Sequence, residues 1–392
     1  MIKYGARPLR VLFVESNTEL GGPQIALRDM LAVTDRSIIE PHVAVPETGG
    51  QYVAALKALD VPLHDLPAGR FRNGAASWRK LRVLTGIVRE CGADVVVGNS
   101  GHPMLFARPA ALWVGVPCVW WVHGWQPEDP LRGQFIAVAE EWLGADAYFC
   151  NSAHTARLMH SAARGRGPVR VTRCGTDTEK FHPDPEAGRA ARAALGIGAE
   201  EKVVGMFGRL QRWKGQHVFL DAIARIVRDG GQLTALVIGG SFLGIEPEYA
   251  EELRRIVAQR KLESRVRFLD HRRDVNELLN ACDVVVHASI EPEPWGLVVA
   301  EAMAAGRAVV ASACGGPLEM IEHGRHGLLS APGDAEALAS CIAELLSDAE
   351  LRARLGRAAR ARAVAEFDRH IAAQVMCREL CDVRERYCAQ RG

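Results

Sequence analysis

Two carboxylates, Glu293 and Glu301, stand eight positions apart in EPEPWGLVVAEAMAAG, residues 291–306. The residues after Gly296 read as an apolar helix from Leu297 to Ala305, in which Glu301 is the only charge. A buried carboxylate without a partner costs several kcal/mol, so Glu301 requires an arginine neighbour or a pair of ligand hydroxyls. On a helix Glu301 lies roughly 8 Å along the axis from Gly296. Glu293 sits before the first turn, and the free amides of Gly296, Leu297 and Val298 point into the gap between the two carboxylates. One carboxylate suits one ring, the helix end suits a phosphate, and the other carboxylate suits a second ring. That is a template for a nucleotide-sugar.

GRLQRWKGQ, residues 208–216, supplies cations for the same chemistry. Arg209 and Lys214 flank a turn from a strand into a helix starting near Gly215, a setting that favours a diphosphate. By themselves two basic residues in a turn are ordinary solvated surface. Neither a GxxxxGK[ST] phosphate loop nor a dinucleotide fingerprint is present. Gly21-Gly22-Pro23 starts a helix with proline near its first position, and its glycines admit a close ligand or simply a tight turn. His123 ends a strand among Trp120, Trp121 and Trp125. A histidine there is more often a hydrogen-bonded rim residue than a catalyst. Trp125, past the strand, could pack on the apolar face of a ring.

These residues need a frame that brings them together. Strand-like runs, near-continuously apolar, alternate with helical periods: LRVLFVES, IIEPHVAVPE, ADVVVGNS, PCVWWVHG, AYFCNS and VRVTRCG, then EKVVGMFG, LTALVIGG, VRFLD, DVVVHAS, RAVVASACG and GLLSAP. The pattern predicts parallel sheets covered on both faces. DTEKFHPDPEAGRAARAALGIGAE interrupts the series as a linker and short helix. The expected architecture is α/β, with two doubly wound Rossmann-like domains, residues 1–178 and 179–392, facing across a cleft. A helical tail from about Ala349 should pack back across both. Ligands in such sheets bind beyond the carboxyl ends of the strands. Those ends carry Asn17, Gly21 and Gly22, Asn99, His123 and Asn151 in the first domain. In the second they carry Arg209, Gly239 and Glu293.

Bulk properties exclude several classes. A chain of 392 residues with 48% hydrophobic and 24% charged residues reads as a soluble two-domain protein. Its formal charge of +1 gives no global attraction to nucleic acid or acidic membrane. The apolar region 104–125 is broken by Arg108, Pro109 and Pro117, so it does not read as a membrane span. The first strand starts at Leu9, which leaves no room for a signal peptide, and a cytoplasmic location is expected. Ten cysteines with no CxxC pair read as packing residues, Cys377, Cys381 and Cys388 on one face of the last helix included. The most basic stretch, GRFRNGAASWRKLR from Gly69 to Arg82, could meet a phosphorylated acceptor or the inner membrane face. An amphipathic helix with Trp78, Leu81, Leu84 and Val88 inward and Arg79, Lys80 and Arg82 solvated accounts for it more simply.

EPEPWGLVVAEAMAAG resembles the E-x(7)-E element of the retaining family-4 glycosyltransferases, which have the GT-B fold. GRLQRWKG resembles their diphosphate loop, DVNELLNACDVVVHASIEPEPWG the stretch before the motif, and CGTDTEKFHPD their domain-linking turn. The resemblance covers most of the chain. It departs at Gln24, where many relatives carry an acidic residue, and at Cys174-Gly175-Thr176-Asp177, where they carry Asn-Gly-Val-Asp. The resemblance implies that Glu293 holds hydroxyls of the donor sugar and Glu301 the nucleotide ribose. Arg209 and Lys214 would neutralise the departing diphosphate, with the amides of Gly296, Leu297 and Val298 assisting. His123 would contact the donor sugar, and Gly21 and Gly22 the donor. Asn17, Asn99, Trp125 and Asn151 are the candidates for the acceptor. The donor would be UDP- or GDP-linked, with a sugar, cyclitol or lipid-linked acceptor and no cofactor or metal, since the chain has no D-x-D motif. Cell-surface polysaccharide or glycolipid assembly and tailoring of a secondary metabolite, antibiotics included, both fit. The rivals are a pseudo-glycosyltransferase, a nucleotide-sugar epimerase and a non-catalytic binding protein.

Overall fold

The structure, a computed structural model, describes residues 7–46, 50–67, 74–124, 143–163, 167–241 and 246–391. Its chain folds into two units, residues 1–175 with 369–392, and residues 176–368.

The first unit holds strands β1 (Leu9–Val14), β2 (Ile39–Pro46), β3 (Leu63–Leu66), β4 (Val95–Asn99), β5 (Cys118–Val122), β6 (Ala147–Cys150) and β7 (Val169–Val171). They form a parallel sheet of order β3-β2-β1-β4-β5-β6-β7. β4, β5 and β6 are buried throughout, as strands covered on both faces must be. The second unit holds β8 (Val203–Phe207), β9 (Thr234–Ile238), β10 (Val266–Leu269), β11 (Val284–His287), β12 (Ala308–Ser312) and β13 (Leu328–Ser330). These run parallel in the order β10-β9-β8-β11-β12-β13. In both sheets the order reverses beside the first strand, so neighbouring crossovers leave on opposite faces and open a crevice at the strand ends. The architecture is two Rossmann-like α/β units.

Every strand expected from the sequence forms, and one more was missed. β3 is a four-residue edge strand inside VPLHDLP, where two prolines and the polar pair His64-Asp65 hide the apolar signal. The expected face of the helix Gly74–Glu90 is also rotated. Lys80, Leu84, Ile87 and Val88 point inward, with the Lys80 ammonium over the Phe106 ring, while Trp78 is exposed and meets Trp113 edge-on. A long lysine stem can occupy an apolar stripe, which a hydrophobicity count does not register. Residues 69–73 of the basic stretch lie outside the described residues.

The tail is shared between the two units, as expected, but the domain bound is not at its end. Helix Ala349–Glu366 belongs to the second unit, where Arg360 donates to the carbonyls of Thr178, Phe181 and Ala304. Helix Arg369–Ala389 belongs to the first, not to a domain running from 179 to 392. Its buried residues Ala373, Met376, Cys377, Leu380, Cys381, Val383 and Tyr387 recur at helical spacing, a stripe that needs an apolar partner. It packs against helix Gly22–Ala32, and Arg170 pairs with Glu379 at 3.5 Å. Among the described residues no helix is long and apolar enough to cross a membrane.

Leu380 is fully buried on that stripe. Leu380→Ala should destabilise the first unit by ~2–5 kcal/mol. Hydrogen exchange read by mass spectrometry should quicken within residues 7–163 and leave 176–368 unchanged. Faster exchange confined to the second unit would contradict this placement of the tail.

Candidate functional site

In the second unit the functional side chains come from two loops at the carboxyl ends of β8 and β11. After β8 the chain passes Gly208 and Arg209 and makes a single 3-10 turn, Arg212–Lys214, before helix Gln216–Arg228. Gly215 joins turn to helix with φ +77°, and a Cβ there would lie 1.9 Å from the Ala288 carbonyl oxygen. Only glycine lets the two loops approach this closely. The Ile290 amide donates to the Trp213 carbonyl at 2.8 Å, and the Gln216 side chain donates to the Arg209 carbonyl at 2.8 Å. Both loops are thereby fixed in one frame.

That frame brings Lys214 onto Glu293. The Lys214 ammonium donates to Glu293 Oε2, and His287 Nε2 and Ser289 Oγ lie 3.3 Å from the same oxygen. Glu293 is buried. Burial would push its carboxyl up, but the charge of Lys214 and the contact with His287 outweigh it and hold the carboxyl well below the usual range. His287 Nε2 also lies 3.0 Å from Ser289 Oγ, and among the described residues its buried Nδ1 has no hydrogen-bond partner. The same carboxylate opposes the pull of burial on the half-buried Arg209 guanidinium. On the backbone, Gly316 N–H donates to the Glu293 carbonyl at 2.7 Å, and a Cβ on Gly315 (φ +65°) would come 2.2 Å from that oxygen.

Helix Leu297–Ala304 answers the question raised by its lone charge. Val299, Ala300, Ala302, Met303 and Ala304 are buried, while Leu297, Val298 and Glu301 are only half-buried. These three fall within about 100° of the helix circumference. The helix is not buried all round: one narrow stripe opens outward and carries the carboxylate. Among the described residues no side-chain cap bond is made at Gly296, and the first amides of a helix have no partner within it.

The first unit presents a different cluster. His123 follows β5, half-buried, its ring 4.5 Å from that of Trp121. Its Nε2 lies 2.6 Å from Asn99 Oδ1, and its carbonyl accepts from Asn151 Nδ2 at 3.0 Å. Asn99 and Asn151 are both buried, with their amides committed inside the protein. They therefore support His123 and offer nothing to an acceptor in this conformation. The Asn17 side chain accepts from the Glu19 amide at 2.9 Å, the bond of a local turn. Gly21 and Gly22 begin helix Gly22–Ala32, again with no side-chain cap and no acidic residue in its first turn. Trp125 lies outside the described residues.

Sequence reasoning passed over Glu15, which follows β1 and is buried beside Asn99, and His287 and Ser289 beside Glu293. The signal was present, since VES and VVVHAS each place polar residues directly after a run of buried strand residues. The one group among the described residues whose atoms could together hold a metal, His42, His64 and Cys91, belongs to neither cluster. Its two histidines make a 3.0 Å ring-to-ring hydrogen bond.

Comparisons with known proteins now bear on this geometry. Residues 20–180 match the family model "Glycosyltransferase Family 4", and residues 189–362 match "Glycosyl transferases group 1". The chain is 37% identical over 216 residues to a D-inositol 3-phosphate glycosyltransferase of Corynebacterium urealyticum, covering 53% of this chain and 50% of that protein. The chain thus spans about half the length of that relative. A D-inositol 3-phosphate glycosyltransferase of Stackebrandtia nassauensis is 32% identical over 90% of this chain and 87% of its own. Among solved structures, Anabaena HepE in complex with UDP and glucose superposes with a TM-score of 0.84 at 28% identity, covering 95% of this chain and all of that one. Two Rossmann-like units, a dual family match and a relative aligned over nearly the whole chain lead to one conclusion: the chain belongs to glycosyltransferase family 4, with the GT-B fold.

Proposed function

We propose that the protein transfers a sugar from a nucleoside-diphosphate sugar, UDP- or GDP-linked, to a hydroxyl of a sugar or cyclitol acceptor, with retention at the anomeric carbon. One observation carries the reading: the cation of the diphosphate loop, Lys214, lies directly on the carboxylate assigned to the donor sugar, Glu293. Phosphate and sugar ring are neighbours in such a donor, and the groups that would hold them are neighbours here. The HepE complex with UDP and glucose and the names of the curated relatives support the same substrate class.

The donor diphosphate rests on Arg209, Lys214 and the open amides at Gly296, Leu297 and Val298. As the bond from anomeric carbon to phosphate oxygen lengthens, negative charge grows on the diphosphate and positive charge on the ring. Two cations and a helix N-terminus stabilise the first charge. Glu293, kept ionised by its surroundings, stabilises the second and orients the ring hydroxyls. His123 contacts the donor sugar and Glu301 the ribose. The acceptor oxygen bonds to the anomeric carbon on the face the phosphate leaves, and its proton passes to the departing phosphate. No metal is needed in this account, because the cations perform its electrostatic role.

Glu293 and Glu301 should then fail differently. Glu293→Gln should lower kcat by orders of magnitude with little change in donor Kd, because its contact strengthens in the transition state. Glu301→Gln should weaken donor binding roughly 10- to 100-fold, the worth of hydrogen bonds to a charged group, with a smaller effect on turnover at saturation. Measuring kcat and Kd for both variants checks the assignment, and a reversed pattern overturns it.

Turnover should persist after dialysis against excess EDTA. A complete loss restored by magnesium or manganese would show that the cations of this site do not suffice.

A further inference from the structure

Glu15 is a carboxylate with no place in the transfer step, yet it lies at the root of the His123 cluster. It follows directly on β1, almost wholly buried, and three elements donate to it. Asn99 Nδ2, at the end of β4, lies 2.5 Å away, Gln24 Nε2 on helix Gly22–Ala32 at 3.0 Å, and the Tyr52 hydroxyl on helix Gln51–Lys57 at 3.0 Å. With its Nδ2 given to Glu15, Asn99 turns its Oδ1 to His123 Nε2 at 2.6 Å. An amide oxygen only accepts, so His123 must carry its proton on Nε2. The reverse amide orientation would set two acceptor oxygens in contact, which an ionised Glu15 forbids. His123 Nδ1 is left as an acceptor whose nearest partner among the described residues is the Cys174 thiol at 3.9 Å, a weak donor that a ligand hydroxyl could replace.

We propose that Glu15 is a positioning residue that fixes, through the Asn99 amide, which ring nitrogen of His123 carries the proton. When Glu15 takes a proton from solvent, its O–H donates to Asn99 Oδ1 and the amide turns over. Asn99 Nδ2 then donates to Nε2, which has returned its proton to water, and Nδ1 takes one up. His123 stays neutral throughout, and only Glu15 changes charge. Burial pushes the Glu15 carboxyl up to about 7 against its three donors. Burial also holds His123 down to about 3 and the Cys174 thiol up to about 12. Among the described residues the remaining titratable neighbour is Tyr52, pushed well above its ordinary value by burial and by Glu15 itself. Arg28 acts on Tyr52 and Asp29 on Cys174, both from helix Gly22–Ala32. The consequence for catalysis rests on the proposed contact of His123 with the donor sugar, whereas the tautomer does not.

Histidine-labelled protein tests this by 15N and 13C NMR, with His123 assigned by difference against His123→Asn. The ring should be the Nε2–H tautomer at about pH 8.5 and the Nδ1–H tautomer at about pH 5.5, with a midpoint near 7. Glu15→Gln should abolish the transition. Tyr52→Phe, which removes one donor from the carboxylate, should move the midpoint upward and serves if the Gln variant does not fold. A His123 tautomer that ignores pH in the wild type, or that titrates unchanged in Glu15→Gln or Tyr52→Phe, overturns the proposal. If the tautomer responds as described and kcat does not follow it, the proposal stands and the placement of His123 at the donor sugar fails.

Discussion

The contact of Lys214 with Glu293 is the interaction on which the rest of the second unit turns. Two opposite charges out of water rarely repay their desolvation unless further hydrogen bonds complete the shell. Here His287 and Ser289 complete it on the carboxylate side. The result is a carboxylate that stays ionised although buried and a cation held in place before any donor arrives. In the proposed reaction a diphosphate competes for Lys214 as its negative charge grows, which frees Glu293 to face the ring where positive charge appears. An arrangement ready before binding avoids reorganisation at the moment of reaction.

Backbone geometry makes this contact possible. Lys214 and Glu293 lie on loops from β8 and β11, adjacent strands in the sheet. Gly215 and Gly315 each stand in a left-handed conformation with another residue's carbonyl oxygen where a side chain would be. The glycines here permit chain-to-chain approach more than they approach a ligand. In the first unit the polar residues at the ends of β1, β4 and β5, namely Glu15, Asn99 and His123, join into one hydrogen-bonded line. Each sheet thus concentrates its polar side chains at the carboxyl ends of its central strands.

Much of this was legible in the residues. Continuous apolar runs gave twelve of the thirteen strands among the described residues, and Glu293, Arg209 and Lys214 stood out because charge is conspicuous beside such runs. β3 was not legible, since four residues between prolines carry too little period. Residue type predicted exposure for Asn99 and Asn151, yet both are consumed inside the protein, because a polar residue at a strand end can equally brace its neighbour. Glu15 escaped notice because it was taken in with the strand-like run LRVLFVES and not weighed as a separate polar group. Glu301 looked buried all round, because an alanine-rich helix gives little indication of which face opens. The tail was expected to reach both units, but the domain bounds counted its final helix with the second, because an Arg/Ala-rich period indicates a helix but not what it packs on.

The central claim is that Lys214 acts on the leaving diphosphate and not as a structural partner of Glu293. The most direct test measures Lys214→Ala with two donors, the nucleoside-diphosphate sugar and a glycosyl fluoride of the same sugar supplied with free nucleoside diphosphate. Fluoride needs no cation of this loop to depart. The account predicts a loss of orders of magnitude in kcat with the nucleotide donor and a much smaller loss with the fluoride. Equal losses with both donors would mean that Lys214 serves only to hold Glu293, and would contradict the account.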